Sequence, residues 1–272
     1  MSGALDRPFF LVHNRGMKHI TIITLLLVTL WVSGIPAALT AGTGTDEKDK
    51  IQSAPMFSVS FDGPKKPRLR ELVLKMLAEI SREVGRKLNF YPKQQVPVIL
   101  LTNQAFFNIA ESPGWGGGVY KGQIKVPADN YNPGLLRIVL AHEYVHAVIF
   151  DRLANRCPWW LNEGLARYFS GDRQGNKRDL ELAAQFIKQG NIVPPLEELP
   201  GNLFQGADRA GVQLACALAL SAVQYFADQL GMMDMLYVLN SLAEGKGFDI
   251  SVNEISGYSS CEFQEKWHKS IL

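Results

Sequence analysis

The chain has 272 residues, 47% of them hydrophobic and 20% charged, an ordinary balance for a globular protein with one substantial domain. Its formal net charge of +2 is too small to argue for nucleic acid or an acidic polymer as partner. Three cysteines, Cys157, Cys216 and Cys261, match no zinc-finger spacing and are too few for a disulfide framework; free, buried thiols are expected.

In chain order, the first feature is an apolar run from Ile20 to about Leu39, preceded by Arg15 and Lys18 and followed by Ala41 and a polar stretch. This is the pattern of a secretory signal, and the run is also long enough for a retained membrane anchor; both readings stay open for residues 1–41. Either way, the charge asymmetry predicts that the rest of the chain is extracytoplasmic, with residues 20–40 as a point of membrane attachment. Residues 42–55 read as a linker, and residues 56–272 as the functional domain. Phe57, Val59 and Phe61 alternate with polar residues and predict a strand ended by Gly63-Pro64. From Pro67 to Leu88, apolar residues recur at helical spacing behind a proline in the first turn. The branched apolar run Val96 to Leu101 predicts a strand covered on both faces. A glycine-rich stretch, Gly114 to Gly118, then leads into Val119-Tyr120, a Lys121-Gly122 turn and Gln123 to Val126, which together read as a hairpin. Glycines lining a strand suggest that another backbone approaches there. The remainder is expected to be helical: about Pro133–Asn155, Pro158–Phe169, Lys177–Gln189, Ala210–Leu230, Met232–Ala243 and Cys261–Ile271.

The helix from Pro133 is apolar nearly all round, so polar residues within it are conspicuous. His142 and His146 stand four apart and project from one face, close enough to share an ion, and Glu143 lies beside them. His-Glu-x-x-His is a metalloprotease pattern, although by chance it arises in roughly one chain in a hundred of this length. A second segment, Trp159-Trp160-Leu161-Asn162-Glu163-Gly164-Leu165-Ala166, strengthens it. Cys157-Pro158 starts a new helix that folds back, so that Glu163 can return to the two imidazoles. Two histidines, one carboxylate and an open position make a catalytic rather than a structural zinc site, with one Zn2+ per chain. Asn162 is placed to orient a ligand from behind.

These segments resemble the gluzincin metallopeptidases, the thermolysin and aminopeptidase N-like clan, and most closely the bacterial peptidase MA-like domain proteins. The resemblance covers roughly Phe57 to Trp267 and implies zinc on His142, His146 and Glu163, with Glu143 as general base. It implies an α+β fold: a small mixed sheet with an edge hairpin as upper lobe (56–130), a mainly helical lower lobe (131–272), and zinc in the cleft between them. Two departures stand out. Cys216 occupies the place of a family tyrosine that would steady the oxyanion, and the glycine hairpin lacks the glutamate by which the aminopeptidase branch holds a free amine. The expected activity is therefore a zinc-dependent endopeptidase, with an impaired zinc- or peptide-binding module of the same fold as the alternative. Its partner is a peptide or protein substrate lying extended along Gly118, Val119 and Tyr120.

Overall fold

The computed structural model describes residues 56–109, 117–199 and 209–272. The expected leader (1–41), the linker (42–55) and the Gly114–Gly116 part of the glycine segment lie outside these residues. Strand β1 (Phe57–Asp62) leads through helix α1 (Pro67–Leu88) to β2 (Val96–Leu101), and the two strands pair in parallel with Phe57 opposite Val96. A short helix α2 (Asn103–Ile109) follows, then β3 (Val119–Tyr120) and β4 (Ile124–Pro127). The sheet order is β1-β2-β4-β3, with β4 parallel to β2 and β3 antiparallel to β4 at the edge. Val98, Leu100, Ile124 and Val126 share one face and are wholly or almost wholly buried, whereas Pro97, Ile99, Lys125 and Pro127 on the other face are only half-buried, so the expected full cover on both faces is replaced by one packed face and one partly covered one.

Helix α1 buries Leu69, Val73, Leu77, Ile80, Val84 and Leu88, and so covers the sheet with a single apolar stripe. It ends at Asn89 in the left-handed region (φ 47°), whose N–H returns to the Gly85 carbonyl. Helix α3 (Pro133–Leu153) begins at Asn132, whose side chain accepts from the N–H groups of Gly134 (2.9 Å) and Leu135 (3.1 Å). Proline at its first position donates nothing that the helix needs. Tyr144 of α3 is fully buried against the sheet, edge-on to Phe57 at 5.5 Å.

A turn of 3-10 helix (Ala154–Arg156) and Pro158 reverse the chain into α4 (Trp159–Phe169). Helix α5 (Arg173–Lys188) starts four residues earlier than periodicity predicts, because Asp172 accepts from the Gly175 N–H and caps it. Then come α6 (Arg209–Gln229), α7 (Met232–Ala243), α8 (Phe248–Ser256) and α9 (Ser260–Ile271). Trp160, Phe226, Phe248, Phe263 and Trp267 form the aromatic centre of this helical part, and the Trp267 indole donates to Ser221 at 3.1 Å. Trp160 and Trp267 are fully buried, and the exposed thiol of Cys261 departs from the expectation of buried cysteines. Helices α3 and α6 are long and apolar enough to cross a membrane, but about half of the most apolar stretch of each is buried inside the fold. They serve as core helices here.

Helix α4 lies against α6 so closely that position 164 has no room for a side chain. A Cβ on Gly164 would sit 2.5 Å from the Ala219 carbonyl oxygen and 2.5 Å from a Val223 methyl. Backbone cannot move aside as a side-chain tip can, so overpacking outweighs the helix-propensity gain of about 1 kcal/mol from replacing glycine. Gly164→Ala is expected to destabilise the protein by about 1–3 kcal/mol, read as a lower denaturation midpoint in urea. An unchanged or higher midpoint would mean that α4 and α6 are not held at this distance.

Candidate metal centre

The structure brings His142, His146 and Glu163 together. The two histidines project from consecutive turns of α3, their Nε2 atoms 3.1 Å apart and their rings nearly perpendicular. Glu163, on the second turn of α4, presents Oε1 to His142 Nε2 and Oε2 to His146 Nε2, each at 3.6 Å. One donor atom from each of the three residues falls within a 4.8 Å cluster. The side chains are not sealed: His142 is 22% exposed, His146 15% and Glu163 14%. That leaves an open side, as a site that must admit water requires.

The donor chemistry suits a divalent ion such as zinc. Burial is the main influence on His142, and it drives the imidazole pKa down to about 3 although Glu163 pulls the other way. At neutral pH this ring is therefore uncharged and keeps a nitrogen lone pair. His146 Nδ1 lies 3.0 Å from Asn162 Oδ1. An amide oxygen only accepts, so the proton sits on Nδ1 and the lone pair on Nε2, facing His142 and Glu163. That contact fixes the tautomer and the ring orientation together.

Glu163 is the ionised partner. Its burial favours the neutral acid, but His142, His146 and Arg167 beside it outweigh that and hold its pKa near 2. Arg167 is the group among them that stays charged at every relevant pH, and its Nε–H donates to Oε1 at 3.1 Å. Cys216, from α6, is buried beside Glu163 and Arg167, and burial pushes its thiol pKa up. The residue that stands where the resemblance places a tyrosine therefore lies beside a candidate ligand. Arg167 also donates to Asp179 of α5. Sequence reading singled out neither Arg167 nor Asp179. Arg167 was accessible as an i, i+4 partner of Glu163; Asp179, on a separate helix, carried no signal.

Glu143 sits beside this cluster and is 5% exposed. Burial first, and then the negative charge of Glu163, lift its pKa from an ordinary 4.5 to about 8, against the opposing effect of the Tyr120 backbone N–H, which donates to it. The edge strand β3 thus reaches the carboxylate directly. The glycines before it make room for α3 itself: a Cβ on Gly118 would lie 2.7 Å from a Val139 methyl and 2.9 Å from Glu143 Cγ and Oε1. The close approach expected at this strand is therefore made by two side chains of α3. His268, outside the cluster, is half-buried against Trp267 with a shielded Nε2.

No family model matches the chain. The chain is similar to a membrane alanyl aminopeptidase of Heliothis virescens, 30% identical over 123 residues. The similarity covers 42% of this chain and spans 12% of that relative's length.

The metal-free protein offers a direct check on Glu143. A carboxyl with its folded pKa raised to about 8 contributes stability below its ordinary 4.5 and loses it as pH rises through 8. Glu143→Gln, which stays neutral, is expected to match wild type near pH 5 and to exceed it by on the order of 3 kcal/mol at pH 9. Urea denaturation of both proteins in chelator reads this gap; a difference that is flat between pH 5 and pH 9 contradicts the burial of an ionisable carboxyl at this position.

Proposed function

We propose that this chain is a zinc-dependent metallopeptidase that hydrolyses internal peptide bonds. The observation that carries the reading is the convergence of His142, His146 and Glu163, with Glu143 held beside them by the Tyr120 N–H. A site with three protein donors and an open side suits catalysis, whereas structural zinc sites are closed by four. The similarity to an aminopeptidase supports peptide-bond hydrolysis as the reaction class.

His142, His146 and Glu163 would hold the ion. When bound, zinc supplies Lewis-acid activation of water and of the scissile carbonyl. Glu143 takes one proton from the attacking water as the C–O bond forms, then delivers it to the leaving amine nitrogen as the C–N bond breaks. A group that takes and returns a proton works best with its pKa near the working pH, and burial moves Glu143 in that direction. Substrate lies extended beside β3. Successive residues of a strand turn their polar backbone groups to opposite sides, so the polar groups of Tyr120 and Gly118 face away from β4. The Tyr120 N–H is committed to Glu143, so its carbonyl and the Gly118 backbone are left to align the peptide.

Cleavage within a chain is favoured by the described residues at the strand, Gly117 to Tyr120, which offer no carboxylate to hold a free α-amine. Release of N-terminal residues is the second reading, and the aminopeptidase relative favours it. N-acetylated and free peptides of one sequence separate the two: internal cleavage proceeds equally on both, whereas an aminopeptidase requires the free amine. The leader pattern supports action outside the cytoplasm, in the periplasm, in the medium or at the outer face of a membrane.

Glu143→Gln is expected to retain about one zinc per chain and to lose peptide hydrolysis by about 100-fold or more. Elemental analysis with a quenched-peptide assay checks both parts. Activity within threefold of wild type would remove Glu143 from the role of base.

A further inference from the structure

Glu163 is held by more than its place on α4. Arg167, one turn on, donates through Nε to Oε1 at 3.1 Å and through Nη1 to Asp179, whose side chain is 8% exposed. The Cys216 thiol of α6 is buried beside both side chains. Helices α4 and α5 thus each contribute one group to the fastening of a single carboxylate. A buried ion pair adds little net stability, because desolvation cancels most of the attraction. The arrangement is therefore hard to explain as a device for stability alone.

We infer that Arg167, kept in place and charge-balanced by Asp179, is a positioning residue that makes Glu163 a one-oxygen metal ligand. This rests on the reading of His142, His146 and Glu163 as the zinc site. A carboxylate can grip an ion with one oxygen or with both. An arginine N–H on Oε1 draws density from that oxygen and fixes the plane of the carboxylate, leaving Oε2 as the stronger donor. One-oxygen attachment would leave the ion four-coordinate with water as the fourth ligand, whereas attachment through both oxygens would raise it to five. A guanidinium so near a cation is repulsive in itself. Asp179 offsets it, so that Glu163, Arg167 and Asp179 together carry one negative charge toward the ion.

The test uses the whole chain loaded with Zn2+, or with Co2+ as a spectroscopic substitute, and two variants. Arg167→Met with Asp179→Asn removes both buried charges together. Its cobalt form is expected to shift from the intense visible bands of four-coordination to the weaker bands of five-coordination, as Glu163 attaches through both oxygens. Asp179→Asn alone leaves the guanidinium unbalanced and is expected to weaken zinc binding about 10–100-fold in competition with a chromophoric chelator. A purely structural pair would lower the denaturation midpoint and move neither readout. An unchanged cobalt spectrum in the double variant overturns the inference. Zinc affinity within twofold of wild type in Asp179→Asn overturns it as well, and decides the matter alone if the double variant does not fold. Failure of the wild-type protein to take up zinc or cobalt is a different result, which removes the site itself.

Discussion

One turn of α3 carries three polar side chains into an apolar interior, and each must find its partner on another element. His146 finds Asn162 on α4, Glu143 finds the Tyr120 N–H on β3, and both imidazoles face Glu163 on α4. These partners lie on both sides of α3, on the sheet edge and on the returning helix. The positions of β3 and α4 relative to α3 are therefore tied to the requirements of a few polar atoms. Two closely packed glycines agree with that arrangement. Gly118 lets the strand pass over Glu143, and Gly164 lets α4 settle against α6 with Glu163 turned toward the histidines.

The two glutamates of the site are pushed in opposite directions by their surroundings. Glu163 has Arg167 at hydrogen-bonding distance and stays ionised, whereas Glu143 has the negative Glu163 nearby and no such cation, so burial raises its pKa. Carboxyls separated in this way can take different tasks, one as a permanent anion and the other as a proton carrier. His142, His146 and Arg167 together hold Glu163 ionised, and Asp179 balances the half-buried guanidinium. Arg167 and Asp179 thus contribute to the charge state of Glu163 from behind it.

Much of this was legible in the sequence because the relevant signals are local. The strand Val96–Leu101 and the helices Pro67–Leu88 and Met232–Ala243 have the predicted bounds, since branched apolar runs, prolines and helical spacing are properties of short windows. Helices α2 and α8 were not foreseen; each has nine residues or fewer and gives too few turns to show a period. The grouping of His142, His146 and Glu163 could be anticipated from one i, i+4 pair and a proline-started return. The role of Gly118 could not, because the atoms it avoids belong to residues 21 and 25 positions later. Asp179 was equally hidden, being one acid among many until the packing of α5 brings it to Arg167.

The claim at the centre of this account is that His142, His146 and Glu163 share one metal ion. A crystal of the zinc-loaded protein measured on both sides of the zinc absorption edge tests it most directly. The account predicts one strong anomalous peak per chain, bonded to Nε2 of each histidine and to the Glu163 carboxylate, with Glu143 close by but unbonded. A site without anomalous density, or a peak held by a different set of side chains, would contradict it.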